Sequence, residues 1–106
     1  MEKNKSDKKI GVFLYELLGT AFIMYAAILS KGEYSKTVVF MTFIMMILAW
    51  DLTGGHFNPV ISVSVYVAEG KFGKNLVPLL IMVGAQFAGA FLGVLFGYLA
   101  VIDKTY

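Results

Sequence analysis

One short stretch decides the fold of this 106-residue chain: the run TGGHFNPV at residues 53–60. It lies between apolar segments, and its paired glycines and Asn-Pro step predict irregular backbone at membrane depth. Such backbone is tolerated only where it is buried in protein or lines a watery cavity. Asn58 is a good N-cap and Pro59 suits the first helical position, so a helix is predicted to begin at residue 59.

The segment that follows, residues 59–69, has about ten apolar residues, too few to span a bilayer. Its β-branched residues alternate over 63–67, a pattern typical of a strand. A lone strand in lipid, however, leaves its backbone groups unpaired, which costs several kcal/mol per group. We therefore predict a short re-entrant half-helix that enters and leaves on the same side of the membrane.

Three longer apolar runs flank this stretch and predict membrane spans at residues 10–30, 35–51 and 76–102. A helix crosses the hydrocarbon core in about 20 residues. The composition, 58% hydrophobic and 15% charged, excludes a disordered chain and an ordinary soluble domain. The predicted fold class is an all-α membrane protein, multi-pass in the lipid bilayer, with three transmembrane helices and one re-entrant half-helix.

Residues 1–9 contain four lysines and are predicted to form a basic, solvated N-terminal tail. The apolar run behind it is too long for a signal peptide, so the first helix is expected to be retained. With the N-terminus on the cytoplasmic side, six lysines lie inside and three outside. This bias favours that orientation.

Several classes of function are excluded by what the sequence lacks. It has no cysteine, so a disulfide framework, a thiol enzyme and Cys-ligated metals are ruled out. His56 is the only histidine, and we expect neither a metal nor a cofactor. No nucleophile–base or carboxylate pair indicates an enzyme, and a net charge of +2 is too small to indicate nucleic-acid binding.

The predicted half-helix places its N-terminus, with about half a positive charge, near the middle of the bilayer. The Asn58 amide adds two hydrogen-bond donors, and the glycines let backbone carbonyls point sideways as acceptors. This combination suits a neutral, hydrogen-bonding solute and repels cations. For the Asn-Pro pair alone, a tight turn followed by a capped helix is the better interpretation.

Two further features indicate organised packing within the spans. Glu16 is a carboxylate inside a span, which is costly unless it is paired or hydrogen-bonded. It shares a helix face with Gly19 and Thr20, which predicts contact with protein rather than lipid. The other feature is a stripe of small residues at i+4 spacing, predicted to let another helix approach closely: Ala85, Gly89, Gly93 and Gly97.

In combination these motifs resemble the major intrinsic protein family, the aquaporins and glycerol facilitators, and the chain looks like a single N-terminal half-repeat. The resemblance rests on YELLGT at 15–20, TGGHFNP at 53–59 and AQFAGA at 85–90. It implies half of an aquaporin-like fold in which Glu16 and Gln86 support the loop. The residues that it assigns to the pore loop are Gly54, Gly55, His56, Asn58, Pro59 and Val60.

The sequence also departs from the family pattern. Family members have two inverted repeats whose half-helices meet at the midplane, whereas this sequence has one repeat and no arginine. Val60 stands where the family has alanine, which adds methyl groups where the two half-helices would pack. The resemblance aligns Val38 with the second-helix position of the family's selectivity filter.

The resemblance implies a channel half-module for passive transport of water or small neutral solutes, which needs a second half to close the pore. Three partners are open: a complementary half-channel, an antiparallel homodimer, or a larger membrane complex. The alternative is a non-conducting structural subunit of such a complex, suggested by the missing half and the small-residue stripe.

Overall fold

A computed structural model describes residues 4–30 and 36–102 of the chain. In these residues it shows no strand and four helices: α1 (Lys5–Leu29), α2 (Lys36–Thr53), α3 (Pro59–Glu69) and α4 (Phe72–Ile102). By length and composition, α1, α2 and α4 are able to cross a membrane, and α3 is a shorter apolar helix. The prediction of an all-α membrane protein is confirmed.

The helices extend beyond the apolar runs that predicted them. α1 begins at Lys5, so residues 5–9, predicted as a solvated tail, are helical and exposed. α4 begins at Phe72 rather than near residue 76, and α2 continues to Thr53. Lysine is a good helix former, so an apolar run marks the membrane core rather than the ends of a helix.

Of the long helices, α1 contacts both α2 and α4, whereas the shorter α3 packs against α4. Near the start of α1, Gly11 lies against Leu52 at the end of α2, so these helices are antiparallel. α1 and α4 run parallel, because Gly89 faces Leu17 and Gly97 faces Ile28. Both helices therefore begin at one end of the bundle, which we call the N-terminal end.

The small-residue stripe of α4 is the contact surface for α1. A Cβ atom on Gly89 or Gly93 would collide with the backbone carbonyls of Leu17 and Ala21. At Gly97 it would lie 2.7 Å from the Cβ of Ile28, and Ala85 in the same stripe is fully buried. The stripe is therefore used within the chain and lets α1 and α4 approach closely.

α3 begins halfway along the bundle and returns to the N-terminal end. Ser62, in its first turn, is hydrogen-bonded to Gln86 of α4, about 21 Å along that helix at ~1.5 Å per residue. At its other end Glu69 accepts a hydrogen bond from Asn75, in the first turn of α4. α3 therefore runs antiparallel to α4 beside its first half, as a re-entrant helix does.

Local chemistry explains why this segment is a helix rather than a strand. The Asn58 side chain accepts a hydrogen bond from the Val60 N–H at 2.9 Å, and Pro59 occupies the first helical turn. Gly70 ends the helix in the left-handed conformation at φ 68°. The Asn58 cap satisfies one backbone N–H of the first turn, and the left-handed glycine stops the helix.

Candidate functional site

The loop that connects α2 to α3, residues 54–58, carries the chain from the end of α2 back to the level of the bundle at which α3 begins. Gly54 and Gly55 have φ values of 82° and 64°, in the region that favours glycine. The loop also presses on α2, because a Cβ atom on Gly55 would lie 3.1 Å from the Cα of Met46. Both conformation and space therefore require glycine at position 55.

Phe57 adopts the same left-handed region, with φ 50°, which is unfavourable for a residue with a side chain. Its backbone N–H donates to Glu16 Oε2 at 2.8 Å, and its buried ring lies against Gly19 of α1. Conformations of this kind cost about 1–3 kcal/mol and persist where surrounding contacts fix them. Here α1 supplies both contacts.

Glu16 is the centre of the network that holds the loop. It is 0% exposed and accepts hydrogen bonds from three donors on two other segments. The His56 N–H reaches Oε1 at 3.2 Å, whereas the Phe57 N–H and the Gln86 amide reach Oε2 at 2.8 and 2.9 Å. A single carboxylate therefore joins α1, the loop and α4.

Ser62, which the sequence analysis did not single out, completes this network from α3. Its hydroxyl oxygen accepts from Gln86 Nε2 at 2.8 Å and lies 3.0 Å from His56 Nδ1 in a second hydrogen bond. Ser62 is buried, whereas Ser64, two residues further along the same helix, is exposed. The only signal in the sequence is a serine one turn after the N-cap of an otherwise apolar helix.

The N-terminus of α3 lies at the surface of the molecule. Asn58 is exposed, and its side-chain oxygen Oδ1 accepts the hydrogen bond of the cap. The N–H groups of the same side-chain amide have no partner among the described residues. Val60, in the first turn, is 71% exposed, and Pro59 is half-buried. The predicted pore-loop residues thus form one continuous feature, from the turn at Gly54 to this uncovered helix end.

A cavity of about 370 Å³ runs along α3 from the loop toward the N-terminal end of the bundle. Its lining mixes apolar groups of α4 with polar ones, among them Thr53, His56 and Glu69. In the described ranges, 4–30 and 36–102, no cluster of three or more His, Cys, Asp or Glu side chains could hold a metal ion.

Val38, the predicted filter residue, lies apart from the loop. It is half-buried in the first turn of α2, where its carbonyl accepts the Thr42 hydroxyl at 2.8 Å. The loop contacts α2 at Met46, about 12 Å further along the helix at ~1.5 Å per residue. Within the described residues, Val38 contributes nothing to the network around Glu16.

The chain shows a partial similarity to one channel protein. An aquaglyceroporin of Toxoplasma gondii is 39% identical to it over 56 residues, which is 53% of this chain and 20% of that protein. The match thus spans about a fifth of the relative's length. No protein-family model and no solved structure matches the chain. The similarity therefore points to a channel-like membrane segment.

Proposed function

We propose that the chain is an aquaporin-like half-module of the major intrinsic protein family, which conducts water or small neutral solutes passively once a second half closes the pore. The observation that carries this proposal is the uncovered N-terminus of α3, capped by Asn58 and held halfway along the bundle by Glu16. The similarity to part of an aquaglyceroporin supports the channel class.

The chemistry of the site favours neutral solutes over ions. The N-terminus of α3 carries about half a positive charge, and the exposed Asn58 amide adds N–H donors beside it. The carbonyls of Gly54, Gly55 and His56 supply acceptors along the loop. A water or polyol molecule exchanges its hydration for these groups, whereas a cation meets the positive end of the helix, as in aquaporin-type selectivity generally.

A second half is needed because this chain leaves one side of the site open. Val60 is 71% exposed, and α2 has one buried residue, Ala49. The partner is a complementary half-channel, an oppositely inserted copy or a larger membrane complex. Whichever it is, the residue facing Val60 must be small, since overpacking there costs about 1–3 kcal/mol.

The alternative is a non-conducting subunit that holds helices of a larger complex. One of the two observations in its favour has another explanation. The small-residue stripe that suggested it packs against α1 of the same chain. What remains is the missing second half, which the channel proposal requires equally.

The proposal is tested by stopped-flow swelling of proteoliposomes in a glycerol gradient. The chain is reconstituted alone and together with a C-terminal half-repeat of an aquaglyceroporin. We expect one of these preparations to swell faster than protein-free vesicles. Asn58→Asp should lower that permeability about tenfold, because it removes two donors worth about 0.5–1.5 kcal/mol each.

Asn4→Asp is the matched control, since Asn4 is exposed before the first turn of α1, twelve residues and about 18 Å along that helix from Glu16 at ~1.5 Å per residue. It should leave permeability unchanged. If neither preparation exceeds the lipid background, the channel proposal fails. If both Asp variants conduct like the wild type, the Asn58 loop is not the pore.

A further inference from the structure

A second cavity, separate from the loop, lies at the N-terminal end of the bundle. It has a volume of about 490 Å³ and is formed by the first turns of α1 and α4 together with the end of α2. None of the residues around Glu16 or Asn58 lines it. We refer to it as the lysine cleft.

The rim of the lysine cleft carries four positive charges. Lys5, Lys8 and Lys9 share one face of α1 at i, i+3 and i+4, and Lys74 of α4 faces them. Among residues 4–30 and 36–102, no carboxylate lines the cleft, and Asp7 lies on another face of α1. Four ammonium groups around one cleft repel each other unless an anion lies between them.

The floor of the lysine cleft is apolar and continues the same two helix faces. Val12 follows one turn after Lys8 and Lys9, and Pro78 and Ile81 follow Lys74 along α4. Leu52 at the end of α2 closes the side. The floor thus reaches about 10 Å below the rim at ~1.5 Å per residue, which is toward the interior of the bilayer.

We propose that the lysine cleft binds one anionic phospholipid, with the headgroup phosphate among the four lysines and an acyl chain along the apolar floor. Basic pockets between transmembrane helices hold anionic headgroups in this way, and lysine stems readily cover apolar surface below their charges. An anionic phospholipid carries a negative headgroup and apolar acyl chains in one molecule, and these match the charged rim and the apolar floor of the cleft.

Other occupants match the cleft less well. A free phosphate ion would satisfy the lysines and leave the floor of Val12, Leu52 and Ile81 uncovered. A second copy of the chain, related by two-fold symmetry at this surface, would bring four further lysines against the first four. Only an amphiphilic anion complements both the charge and the apolar area.

Native mass spectrometry of the full chain, released from detergent that contains equal amounts of phosphatidylglycerol and phosphatidylcholine, tests the proposal. We expect one phosphatidylglycerol to be retained per chain in preference to phosphatidylcholine. Lys74→Gln should lower this preference about fivefold, and Lys5→Gln with Lys74→Gln about 25-fold, at the usual contribution of one lysine near a membrane surface.

Lys71→Gln is the matched control, because it removes the same charge three positions earlier from an exposed residue outside the cleft. It should leave the lipid preference unchanged, whereas Ile81→Asn should lower retention of phosphatidylglycerol by disrupting the floor. Circular dichroism on each variant establishes that the helices are intact, so a loss of lipid is not a loss of fold.

Four results would overturn the proposal. The first is equal retention of both lipids by the wild type, and the second is an equal fall in preference for Lys71→Gln and Lys74→Gln. The third is displacement of the lipid by inorganic phosphate, which would make the cleft a simple anion site. The fourth is dissociation of a dimer by the lysine variants without a change in bound lipid, which would assign the surface to a second copy. None of these results bears on conduction, so this proposal and the channel proposal stand or fall separately.

Discussion

Replacing Glu16 with alanine is expected to lower the free energy of unfolding by about 3–5 kcal/mol, because three hydrogen-bond donors lose the acceptor that they share. The carboxylate is fully buried and accepts from the His56 N–H, the Phe57 N–H and the Gln86 amide. Each buried donor left without a partner costs about 1–3 kcal/mol. The measurement is unfolding by SDS in mixed micelles, followed by circular dichroism.

Glu69→Ala provides the control for this experiment. Glu69 is exposed and accepts one hydrogen bond from Asn75, so its loss should cost less than about 0.5 kcal/mol. The loss of stability for Glu16→Gln should lie between these two values. The glutamine amide keeps one acceptor oxygen, but its N–H donors face the N–H donors of the loop. Equal losses for Glu16→Ala and Glu69→Ala would show that the buried network does not hold the loop.

Gly19→Ala is expected to lower the free energy of unfolding by about 1–3 kcal/mol, the usual cost of overpacking. The added Cβ would lie 2.6 Å from Cδ1 of the Phe57 ring. The ring cannot shift freely, because the Phe57 N–H is bonded to Glu16 and its φ of 50° is already unfavourable. The same SDS titration measures the loss.

Gly84→Ala is the matched control, since a Cβ atom there meets nothing within 4 Å. It should leave stability unchanged or slightly raised, because alanine is the better helix former. Combining Gly19→Ala with Phe57→Leu tests the contact directly, and the double variant should lose less than the sum of the single ones. Strict additivity would mean that the ring and the glycine are not in contact.

The start of the half-helix could be predicted from sequence because its determinants are local. Asn58 and Pro59 fix the first turn through one side-chain bond and one restricted φ, and these outweigh the strand-like alternation at 63–67. The starts of α1 and α4 were less predictable. Hydropathy marks where the membrane core begins, while lysine-rich turns continue the helix beyond it.

A residue of the site can be predicted from sequence only where the cost of burying its side chain is high. A carboxylate in an apolar run must have hydrogen-bond partners, so Glu16 can be identified in this way. Ser62 did not, because Ser64 has the same side chain and only tertiary packing decides which of the two is buried. Nor does spacing reveal which helix the stripe at Gly89 and Gly93 would contact, and the structure places α1 there.

The depth of α3 in the bilayer decides whether this segment is a re-entrant helix. The sequence contains no cysteine, so Val60→Cys and Val67→Cys each accept a single nitroxide label at an exposed position of α3. Accessibility of the labels to oxygen and to a water-soluble nickel complex reports depth in reconstituted vesicles. We expect position 60 near the bilayer centre and position 67 near the interface. Equal, shallow depths for both labels would contradict it, because α3 would then lie flat on the membrane surface.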